Sequence, residues 1–289
     1  AGPAAGAPIV DGQTLPAGTG FDLTSAVSDV AIRGFAIRNF ATDGDNQSGA
    51  GVWVCWTKVN RVTVADCDIQ ACGSSGVFGW VGSSLTLEDW NVSYNTMNCP
   101  TDISGVIDLT NMLRATIDHN VVAGGWMNIY LAAASSSAGP VGTGTVVSNN
   151  TLSDPYALDL AGYVGHCIQL ASFGSQPLTG VTVKSNTMTA TAGGSGVCIR
   201  PKGATYPVQN IVVGGPLASD GNTIGGTGLQ QGIWVDNYRR YVSNLTVSNN
   251  SITMTDTTVS ACAIGMRDLA GSSAIQYNTV TVAGTPQDS

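Results

Sequence analysis

The chain has 289 residues, of which 43% are hydrophobic, only 10% are charged and 37 are glycine. This balance excludes a charge-rich disordered chain and argues against a helical protein. The formal net charge of −8, from 19 acidic against 11 basic residues, argues against a broad surface for nucleic acid or for anionic membranes.

A repeated unit runs through the chain after an incomplete first coil or cap at residues 1–28. In the unit Val181–Lys202, a short alternating strand ends at an Asn, a Gly-rich turn follows, and a second short strand closes the unit. The polar residue that ends the first strand recurs in steps of 23 to 36 residues, at Asn39, Asp68, Asn91, Asn120, Asn150, Asn186, Asn222, Asn250 and Asn278.

The second strand of each unit is a short run rich in Val and Ile. These strands are Gly51–Cys55, Gly76–Trp80, Gly105–Leu109, Met127–Leu131, His166–Leu170, Gly196–Arg200, Gly232–Asp236 and Ala263–Arg267. No sustained 3.6-residue period accompanies them, so helices are not predicted. Short strands in irregular steps favour parallel coils stacked on their neighbours over a flat sandwich.

The recurring Asn has a physical role in such a stack. A side-chain amide both donates and accepts, so Asn residues in successive coils are expected to hydrogen-bond as a ladder inside a turn. We therefore predict an all-β, single-chain domain over residues 1–289, with about nine coils, an Asn ladder and a polar tail at 283–289. The edges at its ends need covering, by a partner or by further chain.

The pattern resembles the right-handed parallel β-helix, or pectin-lyase-like, family over residues 20–285. The resemblance implies that fold, which polysaccharide lyases, glycoside hydrolases, epimerases, phage tailspikes and adhesins share. It also implies an extracellular protein, secreted or on a virion surface, with a polysaccharide as partner. A homotrimer of the tailspike kind is one expected assembly.

One face of the second strands is the expected binding groove. Placing their inward Val and Ile in register gives an outward column of Trp53, Phe78, Asp108, Tyr130, Gln169, Arg200 and Trp234. Aromatic rings stack on sugar faces, and polar groups fix hydroxyl and carboxylate groups. Loops crowd beside this column, which adds Asp159 and Asp236 to the residues predicted to bind substrate.

Two chemistries fit these residue types. A polysaccharide lyase neutralises a uronate carboxylate and removes the adjacent proton by β-elimination, for which Arg200, Lys202, His166 and Tyr130 are the candidates. The segments Ile199–Lys202 and Trp234–Asn237 resemble stretches of pectate lyases, although their spacing and order depart from that pattern.

A glycoside hydrolase instead needs two carboxyl groups about 5 to 10 Å apart. Asp108 with Asp159 or with Asp236 would supply that pair. A non-catalytic adhesive β-helix is the third interpretation, with Trp53, Phe78 and Trp234 serving for binding alone.

The remaining features bear on metals and compartment. His119 is predicted to be an exposed turn residue, whereas His166 follows an acidic, aromatic loop. No metal site is predicted, with Ca²⁺ beside Asp154 and Asp159 as the alternative. Among the seven cysteines, Cys67 and Cys72 lie close enough to close a small loop, and others are expected to be small core residues. The longest apolar run falls short of a membrane span, and the chain starts without a signal-like segment, as expected for a processed or partial chain.

Overall fold

The computed structural model describes residues 6–25, 27–42, 48–82, 85–99, 105–134, 139–155, 165–173, 176–191, 193–202, 208–236, 241–255 and 261–283. Three long parallel sheets run along these residues, and the chain passes through the sheets in the same order in every full coil. The predicted right-handed parallel β-helix is therefore confirmed. Within the described ranges the only helical element is a 3₁₀ turn, Ala218–Asp220.

The first and second sheets are made of strands of three or four residues. The nine strands of the first sheet are Ala31–Arg33, Thr63–Ala65, Asn91–Ser93, Thr116–Asp118, Val146–Ser148, Thr182–Lys184, Val212–Gly214, Thr246–Ser248 and Ala274–Gln276. The ten strands of the second sheet are Ile9–Asp11, Ala36–Arg38, Asp68–Gln70, Thr96–Cys99, Val121–Gly124, Thr151–Ser153, Thr187–Thr189, Thr223–Gly225, Ser251–Met254 and Thr279–Val282.

The third sheet carries the longest strands and matches the predicted second strands. Its nine strands are Phe21–Asp22, Ala50–Cys55, Ser75–Trp80, Gly105–Thr110, Met127–Ala133, His166–Ser172, Ser195–Pro201, Gln231–Val235 and Cys262–Gly265. Two small parallel pairs join Leu87–Glu88 to Met112–Leu113 and Val242–Ser243 to Leu269–Ala270.

The core is a set of aligned aliphatic columns. Val77, Ile107, Ile129, Ile168 and Val197 pair in register on successive strands of the third sheet and are all fully buried. Such continuous stacking removes apolar surface from water at about 25 cal/mol per Å². Because each coil contacts mainly the next, the rigid body is assembled coil upon coil.

An Asn ladder occupies the turn between the first and second sheets. It runs through Asn95, Asn120, Asn150, Asn186, Asn222, Asn250 and Asn278. From Asn120 onward, each side-chain oxygen accepts from the backbone N–H and the side-chain amide of the preceding Asn. The predicted ladder is therefore present, but three of its predicted markers were wrong.

The corrections concern the first three coils. Asn95, rather than Asn91, stands in the turn, because Asn91 is already the first residue of a strand. Cys67, rather than Asp68, holds the position before it, donating its backbone N–H to Asn95. Asn39 lies beyond its second-sheet strand, which ends at Arg38.

Candidate functional site

The outward face of the third sheet carries the predicted column, with one shift of register. Trp53 pairs with Phe78, Phe78 with Asp108, Asp108 with Tyr130, and Tyr130 with Gln169. The next members are Cys198 and Trp234. The prediction that Arg200 belongs to this column was wrong.

Arg200 lies in a second outward column, two residues further along the strands. It pairs with Ala171, which pairs with Ala132, which pairs with Thr110. Trp80 precedes Thr110 in the same column, because Gly79 pairs with Leu109. The two columns together present one face that is aromatic at its N-terminal end and cationic further on.

Two adjoining clefts lie on this face, and we call them together the lateral groove. The first cleft, of about 220 Å³, is lined by Trp80, Asp108, Thr110, Tyr130, Ala132, Ala134 and Phe173. The second, of about 170 Å³, is lined by Trp126, Met127, Tyr130, Gln169, Phe173, Arg200 and Lys202. Tyr130 and Phe173 line both clefts, and their ring centroids are 6.3 Å apart at 63°.

The polar members of the face are more buried than the sequence indicates. Asp108 is 4% exposed, Gln169 2% and Arg200 7%, so these side chains reach solvent only through the clefts. Burial strengthens electrostatic interactions because fewer waters screen them. The lateral groove is therefore a partly enclosed polar site on a rigid sheet.

Asp236 binds Arg200 and is not placed to act with Asp108. The Nε of Arg200 donates to Oδ2 of Asp236 at 2.7 Å. Four ladder steps separate the strands of Asp108 and Asp236, which is roughly 19 Å at ~4.8 Å per step. The hydrolase pair Asp108 with Asp236 was therefore wrong, since glycosidase carboxyl groups lie about 5 to 10 Å apart. Asp159, its alternative, lies outside the described residues.

Lys202 carries the half-exposed cation of the second cleft. Its Nζ lies 5.2 Å from the centroid of the Phe173 ring, a cation–π distance. Burial, and secondarily the Arg200 guanidinium, lowers the pKa of Lys202. Both causes disfavour the protonated amine, so Lys202 is poised closer to the neutral, basic form than an ordinary lysine.

The pKa of Tyr130 is shifted so that the protonated form is favoured instead. Burial, and secondarily the charge of Asp108, raises the pKa of Tyr130 well above its usual value, and the charge of Arg200 opposes this in part. The phenol therefore stays protonated. Lys202 and Tyr130 line the same cleft.

His166 lies beneath the face and does not line either cleft. It pairs with Met127 on one side and Ser195 on the other, and is 1% exposed. Its Nδ1 lies 2.6 Å from Oγ of Ser195. Burial, and secondarily the charge of Arg200, lowers the pKa of His166 to about 3. The prediction that His166 acts in catalysis is therefore replaced by a structural role.

We expect His166 to make the protein sensitive to acid. A histidine in the unfolded chain has a pKa near 6.5. Below that pH the unfolded state is protonated at His166, whereas the native state is not. The free energy of unfolding therefore falls steadily as the pH drops towards 3. Between pH 7.5 and 4.5 this amounts to about 3 kcal/mol at 1.36 kcal/mol per pH unit. Urea unfolding at both pH values measures the loss.

Two variants isolate this effect from the titration of carboxylates. His166→Gln removes the buried imidazole, so its stability should change about 3 kcal/mol less than that of the wild type between the two pH values. His119→Gln is the matched control, because His119 is exposed and stacked on Tyr94. An acid-induced loss as large in His166→Gln as in the wild type would contradict the prediction.

The predicted aromatic binding residues differ in accessibility. Trp53 is 6% exposed and stacks on Phe78 with ring centroids 4.1 Å apart, so its faces are largely used within the protein. Trp234 is half-buried, and the guanidinium of Arg267 lies 5.0 Å from the centroid of its ring. Phe78 and Trp234 therefore remain the more accessible members of the predicted set.

The sequence interpretation missed four of the polar and aromatic residues that line the clefts. They are Trp80, Thr110, Trp126 and Phe173. Trp80 and Thr110 end strands of the third sheet, so extending the alternation by two residues would have found both. Trp126 and Phe173 lie just outside strands, where the sequence carries no register signal.

The cysteines and Asp154 lie outside the two clefts. All seven cysteines are unpaired, including Cys67 and Cys72. In the described part of the chain no three His, Cys, Asp or Glu side chains are grouped as a metal site. Asp154, one of the two carboxylates considered for Ca²⁺, accepts a hydrogen bond from Thr191 at 2.7 Å. No helix in the described ranges is long and apolar enough to cross a membrane.

The fold and the face define a single-chain parallel β-helix with a lateral groove of aromatic and charged residues. Its structure is similar to the tailspike protein of E. coli bacteriophage HK620. A double mutant of that tailspike matches with a TM-score of 0.59 and 13% identity, over 96% of this chain and 47% of the tailspike. The tailspike in complex with a pentasaccharide matches with a TM-score of 0.58 and 14% identity over the same shares.

The chain thus spans about half the length of these tailspikes. The A-module of the mannuronan C-5 epimerase AlgE4 from Azotobacter vinelandii also matches, over 89% of this chain and 76% of the module at 15% identity, with a TM-score of only 0.27. No protein-family model and no curated protein matches the chain. The similarity to the tailspikes supports the fold alone.

Proposed function

We propose that the lateral groove binds an acidic polysaccharide outside the cell or on a virion surface, and that it cleaves the polysaccharide by β-elimination. The observation that carries the proposal is the second cleft, where the cations Arg200 and Lys202 stand beside the aromatic rings of Tyr130 and Phe173. Aromatic rings bind sugar faces, and cations bind a uronate carboxylate. The tailspike solved with a pentasaccharide supports a glycan as ligand.

Each group has a role that its surroundings support. Arg200, oriented by Asp236, would hold the uronate carboxylate and the charge that develops on it. The neutral amine of Lys202 would take the proton from C5, the C–H electron pair would form the C4–C5 double bond, and the C4–O bond would break. The departing oxygen would take the proton of the Tyr130 hydroxyl.

A binding-only function is the second candidate, and the Arg200 to Asp236 ion pair favours it. That pair offsets one of the two cations of the second cleft, which weakens the electrostatic stabilisation available to an elimination transition state. Binding by Lys202, Tyr130 and Phe173 would be unaffected.

A panel of uronate-containing and neutral polysaccharides distinguishes these functions. New unsaturated ends absorb near 235 nm, and reducing ends are counted in parallel, with Ca²⁺ or EDTA present to test the calcium alternative. A rise in both readings supports elimination, and reducing ends alone indicate hydrolysis. Retarded migration in affinity electrophoresis without turnover indicates binding only, and no binding by any acidic glycan contradicts the proposal. Light scattering tests the homotrimer.

A further inference from the structure

A pair of tryptophans, one exposed and one half-buried, stands at the N-terminal end of the lateral groove. Trp56 and Trp80 contact each other edge to face, with ring centroids 4.0 Å apart at 88°. Trp80 lines the first cleft, whereas Trp56 follows the strand Ala50–Cys55 and is 65% exposed.

Trp56 exposes a large apolar ring, which gives no folding advantage in water. Its φ of 62° is shared with turn residues elsewhere in the fold, such as Tyr94 and Tyr277, so the backbone does not set Trp56 apart. The exposed ring beside the first cleft is the feature that a ligand would account for.

The ring of Trp56 is held in place before any ligand arrives. A Cβ added to Gly82 would lie 3.2 Å from Cε3 and 3.4 Å from Cζ3 of Trp56, so the indole rests close against the Gly82 backbone. Trp80 supports it from a second direction. A preorganised aromatic surface loses little conformational entropy when it binds.

The charges along the groove indicate which kind of sugar fits this end. The first cleft contains the carboxyl group of Asp108, which disfavours a uronate there. Trp80 and Arg200 lie in the same outward column, four ladder steps apart, or roughly 19 Å. That separation leaves room for several sugar residues between the aromatic end and the cationic cleft.

We infer that Trp56 and Trp80 form a distal subsite for a neutral pyranose of the same glycan whose uronate lies at Arg200 and Lys202. The placement of the uronate at Arg200 and Lys202 rests on the proposed function. Stacking of an apolar sugar face on the exposed indole of Trp56 is the interaction that we assign. The preferred substrate is accordingly a heteropolysaccharide with neutral and acidic residues.

The test compares ligands of two lengths. Calorimetry measures binding of acidic tri- and octasaccharides prepared from the polysaccharide that the panel identifies. In Trp56→Ala, affinity for the octasaccharide should fall about tenfold, as expected when one aromatic contact is lost, and the ratio of octasaccharide to trisaccharide affinity should fall with it. Gly82→Ala should lower the same ratio by less, because the added Cβ would move the ring of Trp56 only slightly.

Tyr277→Ala is the matched control, because Tyr277 is also an exposed aromatic residue with a positive φ. It follows the first-sheet strand Ala274–Gln276, away from the third sheet, so its affinity ratio should equal that of the wild type. An unchanged ratio in Trp56→Ala would overturn the subsite while leaving the proposed function intact.

A second experiment tests the neutral-sugar subsite if no acidic glycan binds. Tryptophan emission is then followed with neutral hexasaccharides of glucose, mannose and galactose. Quenching that disappears in Trp56→Ala supports the neutral-sugar subsite although the proposed function has failed. No quenching by any of the three sugars would overturn the subsite as well.

Discussion

Asn186→Ala is expected to lower the free energy of unfolding by about 3 to 5 kcal/mol, because the substitution breaks the middle of the ladder. The Asn186 oxygen accepts from the backbone and the side-chain amide of Asn150 at 3.0 and 2.9 Å. Its amide donates to Asn222 and to the carbonyls of Val147 and Lys184. Alanine leaves the buried backbone N–H of Asn150 without an acceptor, whereas the side-chain amide of Asn150 still donates to the carbonyls of Ile117 and Ser148. An orphaned buried donor costs more than the loss of the bond alone.

Urea unfolding measures this effect, and the end of the ladder supplies the control. Asn278 is the last ladder residue and is more exposed than Asn186, so its replacement by alanine should cost only about 1 kcal/mol. A shift of the midpoint without a change in slope shows that stability, and not compactness, has changed. Equal losses in the two variants would contradict the claim that burial makes the middle of the ladder essential.

Lys202→Met is expected to slow polysaccharide cleavage by about 10² to 10⁴-fold, the usual contribution of a general base. Methionine keeps an unbranched apolar stem beside Phe173 and removes the amine. The wild-type rate should rise with pH until the amine is neutral, through an apparent pKa below the usual 10.5, because burial and Arg200 lower the pKa of Lys202. The variant should lack this rising limb.

Initial rates at 235 nm across pH 6 to 11 provide the measurement. Lys184→Met is the matched control, since Lys184 lies in the first sheet and pairs with Asp220 away from the groove. It should keep the rate and the pH profile of the wild type. A Lys202→Met variant that retains more than a tenth of the rate would assign the base to another residue.

The fold was predictable because the same strand pattern repeats in every coil, so the assignment of a fold does not depend on any single short strand. Each coil shows Val or Ile on alternate positions, and seven of the predicted Asn markers either lie in the ladder or lie within four residues of it. The choice between Asn91 and Asn95 failed because both follow short strand-like segments. Only the two-residue spacing between strands, seen in the structure, separates them.

The site was less predictable because strand alternation alone does not fix register between coils. In Ser195–Pro201 both Cys198 and Arg200 face outward, and the sequence favours the larger polar residue for the predicted column. The structure instead aligns Cys198 with Gln169. The burial of His166 and Asp108 depends on surrounding segments distant in sequence, and no local pattern reports it.

The turn that carries the ladder is two residues long in every described coil except the one that contains the 3₁₀ turn, whereas the other connections between sheets range from two residues, after Gly124, to twelve, after Ser153. Insertions and exchanges in the long connections can reshape the neighbourhood of the groove without disturbing the stack. Exchange of one long connection is therefore expected to change the ligand preference proposed for the groove, which makes the scaffold a suitable starting point for directed evolution.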